Sequence, residues 1–351
     1  MPRTYQQPGL TLAQGAAQSA LVKALQADLR VLGYLRGGVD GAFGPGTAQA
    51  VQALQYDLMN NGGASSSGDG SAPVAPKSYN KGRVTAVTGA MDQNLAACLD
   101  DMMSDASFAK LPSAPDPRTA NAQALQAVAS CDSKVAPAAF VLAITKQESG
   151  WAHYRVPSGP NDSDSCVTVG LDRNNAAAPY AVTSRGYGLG QYTLFHHPPT
   201  AAEMAKFIAD PVGNVAMVFT LLEAKLESHV IGPGDTADDR MAEFPGKAPL
   251  RLCKYPSSDP RYFNDCQACA QAAGTVSIRP GRPVFSGAAL TWATTQYYST
   301  ASYDGVPDRA KFPCDWPYAV RRYNGGGINS YHYQARVLTN LLTVPAPAPV
   351  A

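Results

Sequence analysis

The chain has 351 residues, with 28 Lys and Arg against 27 Asp and Glu and a formal net charge of +1. That balance argues against a nucleic-acid partner or a polybasic membrane role. Charged residues make up only 16%, while 31 Gly and 28 Pro punctuate the chain, a pattern of a loop-rich folded protein of about two to three domains, not of a coiled coil or a disordered chain.

No apolar run is long enough to span a bilayer. The start, Met1-Pro2-Arg3-Thr4-Tyr5-Gln6-Gln7, shows no charged segment leading into an apolar one, so no Sec signal is expected. The 7 cysteines are Cys98, Cys131, Cys166, Cys253, Cys266, Cys269 and Cys314, an odd number that leaves at least one unpaired in a monomer. Cys266-x-x-Cys269 has no second such pair, and the 5 histidines show no ligand spacing near it. No metal and no cofactor is therefore expected, and disulfides or buried thiols remain. Cys253 with Cys266 or Cys269, and Cys166 with Cys314, are candidate pairs; connectivity stays open.

In chain order, Leu21, Leu25, Leu29 and Leu32 recur at helical spacing. Gly33 suits the left-handed position just past a helix end. Gly38 to Thr47 is turn-rich, and Thr47 is read as the start signal of a second helix with Val51, Leu54 and Leu58 on one face. Residues 60–78 are low-complexity and linker-like. Beyond them, Val84 to Asp92 half-repeats the earlier Asp-Gly-x-x-Gly turn and leads to a third helix with Leu95, Cys98, Leu99 and Met102 on one face. Residues 60–83 therefore read as an insertion inside one small helical domain, residues 1–103. The boundary is expected in a 104–120 linker containing Pro112, Pro115 and Pro117.

This unit resembles the helical peptidoglycan-binding domain carried by many cell-wall hydrolases. The matching text is Val22-Lys23-x-Leu25-Gln26-x-x-Leu29-x-x-Leu32-Gly33-Tyr34, then Asp40-Gly41-x-Phe43-Gly44-Pro45-x-Thr47-x-x-Ala50-Val51-x-x-Leu54-Gln55, and finally Thr88-Gly89-Ala90-Met91-Asp92. The resemblance covers about residues 18–103, and the insertion departs from the family's compact form. Asp40 and Phe43, on the turn, are candidate wall contacts and equally candidate structural residues.

Residues 135–149 read as a helix with Pro137 in its first turn. Phe140, Ile144 and Glu148 stand one above another at i, i+4 and i+8, and Gly150 stops the helix. Glu148 thus ends an apolar stripe. Burial would raise the pKa of its carboxyl group, and a proton retained near neutral pH is what a general acid needs. The plainer alternative is a helix-terminal Glu reaching water. Ser184 to Thr193 is too glycine-rich for a helix or central strand. Its glycines let backbone approach a ligand closely, and Gln191 offers a donor and an acceptor to sugar hydroxyls or acetamido groups. Asp210-Pro211 opens a helix as N-cap and first residue, with Val212, Val215, Phe219, Leu222 and Leu226 as its core face. Arg321 to Gly327 makes a turn before a last helix carrying Tyr333, Val337 and Leu341.

In this order, the pieces resemble the lysozyme-like catalytic domain of soluble lytic transglycosylases, over roughly residues 130–345. The matching motifs are Glu148-Ser149-Gly150, Gly188-Leu189-Gly190-Gln191, Asp210-Pro211-Val212-Gly213-Asn214, Tyr323-Asn324-Gly325-Gly326, and Tyr333 with Val337. The resemblance implies a mainly α chain: a small three-helix peptidoglycan-binding domain, then an α-rich lysozyme-like domain over 121–345 with long loop insertions at 152–183 and 231–315. Such insertions are commonly lids or binding walls. Trp292, Tyr297, Tyr298 and Tyr303 could stack on sugar from the second insertion, although packing in a small core is the more frequent role.

The chemistry implied is cleavage of the glycosidic bond between N-acetylmuramic acid and N-acetylglucosamine, with peptidoglycan glycan strands as partner. Glu148 acts first as acid and then as base toward the muramoyl C6 hydroxyl, leaving a 1,6-anhydro end. Ser149, Gln191, Tyr192, Tyr323 and Asn324 would contact substrate, with Tyr323 also orienting Glu148. The close rival is hydrolysis as in goose-type lysozymes, with Asp162, Asp164 or Asp172 activating water. A third reading is a non-catalytic wall-binding protein. The resemblance implies a monomer acting in the periplasm or cell wall, delivered by a holin, a virion or a secretion apparatus.

Overall fold

The computed structural model describes residues 3–17, 19–63, 74–129, 136–227, 314–325 and 328–344. Cys131, Cys253, Cys266, Cys269, Trp292, Tyr297, Tyr298, Tyr303 and nearly all of the 231–315 insertion lie outside the described residues. Among those described the fold is mainly α. Helices run α1 Ala20–Val31, α2 Pro45–Asn60, α3 Gln93–Ser104, α4 Pro117–Ala129, α5 Ala138–Ser149, α6 Ala201–Glu203, α7 Pro211–Lys225, α8 Trp316–Tyr323 and α9 Ile328–Leu341. A small antiparallel sheet, in the order β1 Val169–Asp172, β2 Ser184–Tyr187 and β3 Tyr192–Leu194, sits between α5 and α6 in sequence. The chain divides into two compact units, Met1–Ala124 with Ala152–Asn214, and Leu125–Trp151 with Val215–Ala351.

In the first unit, α1 and α3 begin with side-chain caps. The Ser19 hydroxyl accepts from the Val22 N–H at 3.1 Å, and the Asp92 carboxylate accepts from the Leu95 N–H at 2.8 Å. The second helix begins earlier than expected. Gly44 is its N-cap and Pro45 its first residue, so Thr47 lies inside the first turn, buried, with its hydroxyl accepting from Gln26 Nε2 at 3.0 Å. Gly33, at φ +77°, follows the end of α1, and the Tyr34 N–H reaches back to the Leu29 carbonyl. Leu25, Leu29, Val51, Leu54, Leu58, Leu95 and Leu99 are fully buried together, each contributing roughly 1.5–3 kcal/mol of transfer free energy.

Two glutamines give the half-repeat its physical meaning. Gln26 of α1 accepts from the Gly41 N–H at 2.7 Å and donates to the Ala42 carbonyl at 3.0 Å. Gln55 of α2 accepts from the Gly89 N–H at 2.9 Å and donates to the Ala90 carbonyl at 3.0 Å. Each helix thus pins the glycine turn that leads to the next helix, and Gly41 and Gly89 both take positive φ, +84° and +73°. The 60–83 stretch lies between the second clamp and its turn. The Lys77 N–H donates to the Asn61 carbonyl at 3.1 Å, tying the start of that insertion to a point six residues before its end.

The 104–120 stretch, expected as a linker, is embedded in the first unit. Phe108, Leu111 and Ala114 are buried. The Leu111 N–H donates to the Val31 carbonyl, and the Ala114 N–H to the Ser165 carbonyl. Residues 152–214, expected to belong with Glu148, instead pack on α1 and α2 through buried charge. Arg30, fully buried on α1, pairs with Asp164 at 2.7 Å and donates to the Leu35 and Val167 carbonyls. Arg185 of β2 pairs with Asp57 of α2 at 3.3 Å and lies over the Tyr34 ring, while the Tyr34 hydroxyl donates to the same carboxylate at 2.9 Å. Charges this deep are tolerated only when paired and hydrogen-bonded.

In the second unit, α5 is apolar almost all round, with Ala139, Phe140, Val141, Leu142, Ala143, Ile144 and Thr145 buried. The helix starts one residue past Pro137, which is its N-cap. From α9, Asn340 donates to the Ala143 carbonyl at 3.4 Å, and Gln334 donates to the Pro317 carbonyl of α8 at 2.8 Å. On α7, Val215, Phe219 and Leu222 are buried, as is Leu226 just past its end, but Val212 is 51% exposed, because the first turn precedes the apolar stripe.

Candidate active site

The end of α5 carries the candidate acid. Gly150 and Trp151 both take left-handed φ, +64° and +66°, and their N–H groups return to the Lys146 and Thr145 carbonyls. The Trp151 indole N–H donates to the Leu142 carbonyl at 2.8 Å, and Lys146 lies 4.8 Å over its ring. The helix end is therefore held rigidly. Glu148 is half-buried there, one turn past Ile144.

Opposite Glu148 stands a residue that the sequence placed only in a motif. The Tyr333 hydroxyl, on α9, donates to Glu148 Oε1 at 2.6 Å. Tyr323, the last residue of α8, stacks on Tyr333 with 6.2 Å between ring centroids and 12° between planes. Burial, together with the neighbouring Glu148 carboxylate, pushes both phenols above their usual range, so both keep their protons. Tyr323 thus lies within reach of the Glu148 charge, and the direct hydrogen bond comes from Tyr333. The Ser149 hydroxyl turns back to the Thr145 carbonyl at 3.0 Å, which commits it to the helix. Asn324 caps α8 and is exposed.

The glycine turn lies in the first unit. It joins β2 to β3 and is clamped from two sides. Asn214 of α7 accepts from the Gly190 N–H at 2.8 Å and donates to the Tyr187 and Phe207 carbonyls, each at 2.8 Å. Buried His153 holds the Ile208 carbonyl through Nε2 at 2.9 Å and faces the Leu189 N–H with Nδ1 at 3.4 Å. A Cβ on Gly188 would come within 2.5 Å of that ring. Gln191 adopts φ +51°, and its amide donates to the Gly188 carbonyl at 2.8 Å. Its carboxamide oxygen lies across Gly170 and Gly186, whose missing side chains make the space. Tyr192 is half-buried with its ring 4.5 Å from that of Phe207. The Asp-Pro-x-x-Asn and Gly-x-Gly-Gln motifs are thus two halves of one hydrogen-bonded structure.

Several candidates take structural work. Phe43 is 2% exposed in the helical core, where it can touch no wall polymer. Asp40 accepts from Gln26 Nε2 and the Ala42 N–H, each at 2.9 Å, and so shapes its own turn. Asp162 accepts from the Val39, Ser158 and Asp164 N–H groups. Burial opposes its charge, but those bonds hold its carboxyl well below the usual range. Asp164 lies between Arg30 and Arg155. Neither suits the work of activating water. Asp172, exposed at the end of β1, accepts from the Ser184 hydroxyl at 2.8 Å. Cys166 is a buried free thiol, pushed up to about 11 by burial.

A family model described as a putative peptidoglycan binding domain matches residues 18–58, which hold α1 and α2. No curated protein and no solved structure matches the chain. The match supports a peptidoglycan-binding domain built on the N-terminal helices, with peptidoglycan as its partner, and is consistent with action at the cell wall. No single helix among the described residues is long and apolar enough to cross a membrane.

Proposed function

We propose that this chain is a peptidoglycan lytic transglycosylase with Glu148 as its acid and base. The observation that carries the reading is the Tyr333 hydroxyl bonded to Glu148 Oε1 at the end of a buried helix, in a chain whose residues 18–58 match a putative peptidoglycan binding domain. Glu148, protonated, gives its proton to the glycosidic oxygen as the muramoyl C1–O bond breaks. The cation-like centre at C1 is relieved by the sugar's own acetamido oxygen. Ionised Glu148 then takes the proton of the muramoyl C6 hydroxyl while O6 bonds to C1. The residue ends protonated as it began, no water is consumed, and the product is a 1,6-anhydro end. Gln191 and Asn324 position sugar in this reading, and the wall-binding domain raises local concentration at the polymer.

The second reading is hydrolysis. Among the described residues 152–214, Asp162 and Asp164 are spent on backbone and arginine partners, which leaves Asp172 as the aspartate to activate water. Mass spectrometry of digested muropeptides separates the two, because anhydro ends support the transglycosylase and reducing ends carrying added water support the muramidase. Glu148→Gln is expected to lower wall clearing by about 10²–10⁴-fold. Equal clearing by this variant and the wild type would sink the assignment and favour a binding protein.

A further inference from the structure

We propose that His153 is a positioning residue, whose imidazole holds the Gly188–Gln191 turn in the shape that presents Gln191 to the glycan strand. The proposal rests on the reading of Gln191 as a sugar contact. It is carried by the way the ring is wired. Nε2 donates to the Ile208 carbonyl at 2.9 Å, which fixes Nδ1 as the lone-pair nitrogen. Nδ1 then faces the Leu189 N–H at 3.4 Å, inside the turn. Gly188 takes φ +70° directly against the ring, and any larger residue there would collide with it. The turn needs that support, because Gln191 itself is held at φ +51°, a conformation a non-glycine residue reaches only when its surroundings impose it. Asn214 supports the neighbouring Gly190 N–H, so two side chains fix two successive links of one turn.

The arrangement also makes the turn sensitive to protonation. A proton on Nδ1 would set two donors face to face at Leu189. The ring is fully buried, and Tyr154 packs edge-on at 4.8 Å. Asp210, at the start of α7, acts on it as a charge and favours the protonated form, but burial outweighs that and lowers the His153 pKa to about 4. Above that pH the clamp is intact.

The test is steady-state cleavage of solubilised, uncrosslinked glycan strands by the full chain, with circular dichroism confirming that each variant is folded. His153→Phe keeps the ring volume without the nitrogens, and His153→Gln keeps one donor and one acceptor. In His153→Phe, KM is expected to rise about tenfold with kcat nearly unchanged, and His153→Gln should restore most of it. Wild-type KM should also rise as pH falls through about 4, a step absent from His153→Gln. An unchanged KM in folded His153→Phe, or a pH step that persists in His153→Gln, overturns the proposal. If His153→Phe does not fold, the pH comparison decides alone. A wild-type chain that cleaves no strands overturns the functional reading itself, and this proposal with it.

Discussion

The glycine turn of the first unit and the helix end of the second are held in opposite ways. The turn is fixed by polar groups from every side, His153, Asn214 and the Gln191 amide, over strands whose glycines make room for a side chain. Glu148 rides on a helix whose body is buried among apolar side chains, and the Tyr333 hydroxyl donates to its carboxylate. The contrast teaches that a glycine-rich turn takes its shape from polar clamps, whereas a helix end takes its place from the packed stem behind it.

The largest expected effect tests the locked side. Arg30→Ala leaves Asp164 buried with half its counter-charge, and should cost about 3–5 kcal/mol in chemical denaturation. A loss below about 1 kcal/mol would mean that residues 152–214 are not braced on α1.

Acidity tests the same side more gently. His153 is neutral when folded, with its pKa lowered from 6.5 to about 4. Between those values the unfolded chain binds the proton and the folded chain does not. This contribution to stability is therefore intact above 6.5 and is lost as pH falls toward 4, by on the order of 3 kcal/mol. Denaturation of wild type and His153→Gln across that window should show the smaller loss in the variant; equal losses would place the effect on other groups.

The smallest effect tests the helix end. Tyr333→Phe removes one hydrogen bond to Glu148 and should lower kcat by about 10-fold, with a melting temperature close to wild type. A drop in stability without a drop in kcat would make Tyr333 a packing residue only.

Much of each region was legible in the sequence where local spacing decides structure. The Leu25–Leu29–Leu32 stripe, the Gly33 stop and the position of Glu148 at the end of a buried stripe follow from helical geometry alone. What was not legible depends on partners far apart in the chain. Arg30 and Asp164 carry no mutual signal, so the 152–214 stretch looked like part of the Glu148 unit, and the 104–120 prolines looked like a linker although Phe108 and Leu111 are core. For Phe43 the glycine-rich turn left a wall contact and a structural role equally open, and its burial shows the structural one. Tyr333 was visible as a motif position, but only the packing of α9 shows its hydroxyl on Glu148. His153 carries no local signal, and only the fold brings its ring to the Leu189 N–H and the Ile208 carbonyl.

The duplicated Gln26 and Gln55 clamps, with Asn61 and Lys77 joined beneath the insertion, make that stretch a permissive port. The Asn61–Lys77 bond sets the closure, so changing the length of chain between those two residues alters loop-closure entropy, roughly 0.6 kcal/mol for each doubling. The helices on either side take their register from their own glutamines and not from the chain that joins them. A reporter, an affinity handle or a second binding segment can therefore be grafted at this point while the wall-binding helices stay in place.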